Sequence, residues 1–79
     1  MNELVEKTKK VLELADRGDF MTLISYVEAE CRNLVESSDD NSNFTIIWKE
    51  QIAAMDKQDW MTCLNNQERL RDAVKELEA

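Results

Sequence analysis

Between residue 3 and about residue 16, Leu4, Thr8, Val11 and Ala15 recur at steps of three and four, and Val5 and Leu12 widen the stripe. This spacing keeps side chains on one face of an α-helix, and Asn2 stands where its N-cap belongs. A second stripe, Phe20, Leu23, Ile24, Val27, Cys31, Leu34 and Val35, opens behind Asp19, whose carboxylate suits the free N–H groups of a first helical turn. The run SSDDNSN at 37–43 has no apolar residue and reads as a loop, with Ser42 or Asn43 capping the next helix. Phe44, Ile47, Trp48, Ile52 and Met55 then share a face, as do Trp60, Cys63, Leu64, Gln67, Leu70, Val74 and Leu77 behind Asp59. The pattern predicts one all-α domain, a four-helix up-down bundle made of two similar helical hairpins. Hairpin 1 covers about 2–37, the polar loop 37–43 and hairpin 2 about 43–78.

The two hairpins repeat a phrase. DRGDFMT at 16–22 returns as DKQDWMT at 56–62, and residues 16–36 set against 56–76 give six identities: Asp16/Asp56, Asp19/Asp59, Met21/Met61, Thr22/Thr62, Glu28/Glu68 and Glu36/Glu76. Duplication of one hairpin and convergence on one turn both account for this. In either case Asp19 and Asp59 are expected to cap helices, and Phe20 and Trp60 to plug the ends of the core.

Composition narrows the picture further. The chain has 79 residues, no proline and one glycine, so little interrupts its helices. A domain this small is only marginally supported by its own core. No apolar run approaches the roughly 18 residues that cross a bilayer, and the N-terminus lacks an apolar stretch behind its charges. A cytoplasmic protein without membrane contact is expected. Cys31 and Cys63 are too few for a disulfide scaffold and are expected as reduced core residues.

The net charge of −7 is concentrated in residues 19–40, which hold six acids and one base. Direct nucleic-acid binding is therefore not expected. The absence of histidine removes the usual general base and the commonest neutral metal ligand. Neither a phosphate-cradling glycine loop nor a CxxC pair occurs, and the paired carboxylates Glu28/Glu30 and Asp39/Asp40 read as solvated charges. The expectation is a non-enzyme with no catalytic residues, no metal and no cofactor.

Apolar residues that fall off the stripes are the remaining candidates. Met21 and Met61 lie about 100° from the aromatic beside them, and Tyr26, Leu14 and Ile46 also share faces with polar residues. These five form the candidate partner-binding set, for another protein or for a homodimer through a face containing Met21, Tyr26 or Met61, because methionine and tyrosine are enriched at interfaces. The plainer account is that small domains leave several apolar side chains half exposed without function.

The segment LELADRGDFMTLISYVEAECRNLVE at 12–36 resembles the first helical hairpin of the FliT-type flagellar export chaperones, through Ala15, Gly18, Asp19, Phe20, Leu23, Glu28, Glu30, Arg32 and Leu34. The resemblance covers about a third of the chain. It implies a small cytoplasmic helical chaperone for an aggregation-prone export substrate. The chain is short for that family, and the second turn at Asp59–Trp60 departs from its pattern. The Gly-Asp-aromatic turn is also similar to that of a tetratricopeptide unit, but a repeat of 40 residues rather than roughly 34 ranks this lower. The expected function is a chaperone or adaptor that binds another protein through a partly apolar helical face. The competing expectation is a small acidic phage or mobile-element inhibitor, a nucleic-acid mimic or protein-binding antagonist.

Overall fold

The computed structural model describes residues 2–79, with Asn2 as backbone only, so the expected Asn2 cap lies outside the described residues. The elements are α1 (Asn2–Asp16), α2 (Phe20–Tyr26), a π turn (Val27–Cys31), α3 (Arg32–Glu36), α4 (Asn43–Asp56) and α5 (Trp60–Glu78). Because α2, the π turn and α3 run on without a break, they form one rod over 20–36. The fold is thus all-α with four helices, and no strand occurs among the described residues. The chain divides into two units, Met1–Ser37 and Ser38–Ala79, each holding one helical hairpin. In the first, α1 packs on α2 and the π turn; in the second, α4 packs along α5.

The repeated phrase builds the same turn twice. The Gly18 amide donates to the Ala15 carbonyl and the Asp19 amide to Leu14, each at 3.0 Å; Gln58 donates to Met55 at 3.0 Å and Asp59 to Ala54 at 2.9 Å. This pair of bonds is a Schellman motif, which requires a left-handed residue at its corner. Gly18 has φ 72° and Gln58 φ 57°. The next residue starts the following helix: Asp19 accepts from the Thr22 amide and Asp59 from the Thr62 amide, both at 3.3 Å. One aspartate therefore ends one helix through its backbone and caps the next through its side chain.

Buried positions repeat at a spacing of forty through both first helices and into the second: Leu4/Phe44, Val5/Thr45, Thr8/Trp48, Val11/Gln51, Leu12/Ile52, Leu14/Ala54 and Leu23/Cys63. From the first residue of the π turn onward the spacing becomes thirty-nine, with Val27/Asn66, Cys31/Leu70 and Val35/Val74. The π turn, closed by the Arg32 amide on the Val27 carbonyl, holds one residue more than the straight α5. Leu23, Val27, Cys31 and Val35 explain why. Four-residue steps drift about 40° each around an ideal helix of 3.6 residues per turn, so three steps move a side chain about 120° off the core face. One extra residue returns about 100° of that. The equivalences of Glu28 with Glu68 and of Glu36 with Glu76 are corrected accordingly: Glu28 matches Gln67, Arg32 matches Arg71 and Glu36 matches Lys75.

The loop at 37–43 is organised around Asp40. Its carboxylate accepts from the Ser42 hydroxyl at 2.6 Å, the Thr45 hydroxyl at 2.9 Å and the Ser42 amide at 3.2 Å. Ser42 in turn caps α4 by accepting from the Thr45 amide. These bonds hold the Asp40 carboxyl below its usual range, the hydroxyls of Ser42 and Thr45 being the main cause.

Candidate interaction surface at the hairpin tips

Phe20 and Trp60 do not plug the core. They are 47% and 49% exposed, which corrects the expectation drawn from the stripe. Each comes directly after its capping aspartate, so no earlier turn of its own helix lies over it. The buried line of each rod begins three residues later, at Leu23 and Cys63. Ile24 and Leu64, assigned to the core by the same stripe, are 37% and 51% exposed, and Leu77 is half exposed as well.

The exposed residues gather instead. Positions 20, 21 and 24 fall within about 100° of arc at 100° per residue, as do 60, 61 and 64. Each hairpin therefore opens its second helix with the same surface strip, aromatic, methionine, aliphatic: Phe20, Met21, Ile24 in one and Trp60, Met61, Leu64 in the other. Met21 is 83% exposed and Met61 74%. Both strips continue into a glutamate and an arginine. Arg32 binds Glu28 at 2.7 Å and Glu36 at 3.2 Å, and Arg71 lies 3.9 Å from Glu68.

Other residues of the candidate set go elsewhere. Leu14 is buried at 2% exposure, a correction: its carbonyl receives the Asp19 amide, so the returning chain closes over it, as over Ala54 in hairpin 2. Tyr26 is half-buried and lies about 140° around its helix from Met21; burial raises its phenol above the usual value. Ile46 is exposed, but it sits near the start of α4, about ten residues and roughly 15 Å from the turn. The structure thus brings Met21 and Met61 each into an apolar strip, and leaves Leu14, Tyr26 and Ile46 outside.

The strips include four residues that periodicity assigns to the core or its plug: Phe20, Ile24, Trp60 and Leu64. Their signal is the repeat itself, since Phe20/Trp60, Met21/Met61 and Ile24/Leu64 match at one spacing while the helix-start residues have nothing behind them to pack against.

Burial pushes the Cys31 thiol up to about 11 and also raises Cys63, so both stay protonated and unreactive near neutrality. The described residues contain no group of three or more metal-ligating side chains, and none of their helices is long and apolar enough to cross a membrane. A scan against protein-family models, a search of curated proteins and a search of solved structures each returned no match.

Proposed function

We propose that this protein is a non-enzymatic adaptor or chaperone that holds another protein against the apolar strips at its hairpin tips. One observation carries the reading: the same exposed aromatic, methionine and aliphatic triad occurs at the same place in both hairpins. Isolated exposed apolar residues need no explanation, but a triad built twice, with methionine as its most exposed member, has the composition of an adaptable binding surface. The likeness of 12–36 to the FliT-type hairpin supports the chaperone form of this reading, with a cytoplasmic setting.

The acidic-mimic alternative draws on the charge of −7. It is weakened by the ion pairs. Glu28 and Glu36 share Arg32, Glu30 binds Lys7 at 2.7 Å, Glu50 binds Arg69 at 2.7 Å, and Glu13 pairs with Arg17. A phosphate surrogate needs carboxylates free of such partners.

The test is a photo-crosslinking residue placed at Met21 or Met61 in the source cells, beside the double variant Met21→Ala/Met61→Ala. Crosslinks to one defined protein are expected from both tips and not from Ile46. The double variant should weaken that protein's binding at least about tenfold, while Tm moves by less than about 4 °C. A large fall in Tm would show the methionines to be core residues and end the assignment. Binding that collapses as salt rises would instead favour the acidic mimic.

A further inference from the structure

The loop at 37–43 sets one peptide unit apart from the rest of the chain. Asn41 is exposed and is the one asparagine outside a helix among the described residues; the others lie in α1, α3, α4 and α5. Its successor, Ser42, has a small side chain that does little to cover its own backbone nitrogen. Asparagine is a thermally labile residue, because the nitrogen of the following residue can attack its side-chain amide.

Both Ser42 groups beside that reaction are taken up by Asp40. Its Oδ1 accepts from the Ser42 amide at 3.2 Å and its Oδ2 from the Ser42 hydroxyl at 2.6 Å. The carboxylate is itself anchored, since the hydroxyl of buried Thr45 donates to it at 2.9 Å.

We propose that the Asn41–Ser42 unit is a latent deamidation site, and that Asp40 is the positioning residue that restrains it by holding the Ser42 N–H. This is independent of the docking reading. In the restrained reaction the Ser42 nitrogen bonds to Asn41 Cγ, the Cγ–Nδ2 bond breaks, and Nδ2 leaves as ammonia with the proton of the Ser42 N–H. Water then opens the ring at either carbonyl carbon, giving aspartate or isoaspartate. Isoaspartate adds one carbon to the main chain just before Ser42, so the modified chain should lose the Ser42 cap on α4.

The test follows the full chain at neutral pH by peptide mass spectrometry, reading conversion of Asn41 from its gain in mass and isoaspartate from its separate elution. The wild type should convert slowly. Asp40→Ala should speed conversion at least about fivefold, the factor of one net hydrogen bond. Thr45→Val takes one donor from Asp40 but leaves both bonds to Ser42, and should stay near the wild-type rate. Asp40→Glu keeps the charge but displaces the oxygens, and should also be fast. It decides the matter if alanine unfolds the chain, which conversion of Asn65 in α5 would report. Wild-type rates in the position-40 variants overturn the proposal, because the bond to Asp40 then restrains nothing. So does acceleration by Thr45→Val as large as theirs, because general order of the loop is then the restraint.

Discussion

Hairpin 1 turns through Gly18 and then swells its second helix by a π turn, whereas hairpin 2 forces Gln58 into the same left-handed corner and keeps its second helix straight. The interiors differ as well. Hairpin 1 buries aliphatic side chains with Thr8 and Cys31, while hairpin 2 buries Phe44, Trp48 and two amides, Gln51 and Asn66. The Gln51 amide donates to the Cys63 carbonyl at 3.2 Å and the Asn66 oxygen accepts from Arg69 at 2.9 Å. Among the described residues Gln51 Oε1 and Asn66 Nδ2 find no hydrogen-bond partner, and burying such a group unpaired costs about 1–3 kcal/mol. What the pair shares is therefore the hydrogen-bond pattern of the turn and the order of buried positions. Glycine at the corner and an exact residue count are dispensable.

The largest effect should come from removing one residue from each second helix. Deleting exposed Ala29 takes away the extra residue of the π turn, so Cys31 and Val35 keep their facing and the chain should lose little stability. Deleting exposed Glu68 from straight α5 rotates Leu70, Ala73 and Val74 by about 100°. That should cost more than about 3 kcal/mol, the scale of losing a large core side chain, in urea denaturation. Equal losses would mean that the π turn is not an accommodated insertion.

A smaller effect tests the corner. Gly18→Ala places a Cβ in the left-handed region and should destabilise by about 1–2 kcal/mol, though nothing lies within 4 Å of it. Gln58→Gly relieves the same penalty and should stabilise by up to about 1 kcal/mol, less what glycine gives to the unfolded chain. Opposite signs in thermal melts sharpen the comparison; matching signs break it.

The smallest effect is on pH, and it separates the hairpins. Asp40 and Asp59 have carboxyls held below the ordinary 3.8 by hydroxyl and amide donors. Their stabilisation is present above that value and is lost as pH falls through the lower folded values. Both belong to the second unit. In the first unit, Glu30 raises Lys7 above 10.5 and burial raises Cys31 from 9.0 to about 11. Those contributions are complete below the unfolded values and fade as pH rises through the folded ones. Residue-resolved amide exchange should show hairpin 2 loosening first below about pH 4. Towards pH 11 hairpin 1 should lose the contribution of Lys7, while each hairpin also meets the ionisation of a raised thiol, Cys31 or Cys63.

Much of this fold is legible in the sequence. The aspartates that cap helices, the polar loop and the repeated turn arise from local chemistry that acts over a few residues. The second helix of hairpin 1 is harder, because a fixed period of 3.6 draws the buried line through Phe20, Ile24 and Leu34, while the real line steps by fours and takes up one extra residue in the π turn to match. Asn66 escapes the pattern because an amide reads as solvated, and Leu14 because a turn closing over its own third-last residue is invisible to a wheel. The candidate site is half legible: Met21 and Met61 stand out by repetition, but their neighbours are hidden in an overextended core stripe.

Trp48 is fully buried and Trp60, twelve residues on in the same hairpin, is half in solvent. The molecule thereby carries two optical gauges of opposite kind. Acrylamide should quench Trp60 and spare Trp48, so a ligand at the second tip will shield one emission while unfolding of that hairpin reddens the other. No tryptophan lies in hairpin 1, so both gauges belong to hairpin 2.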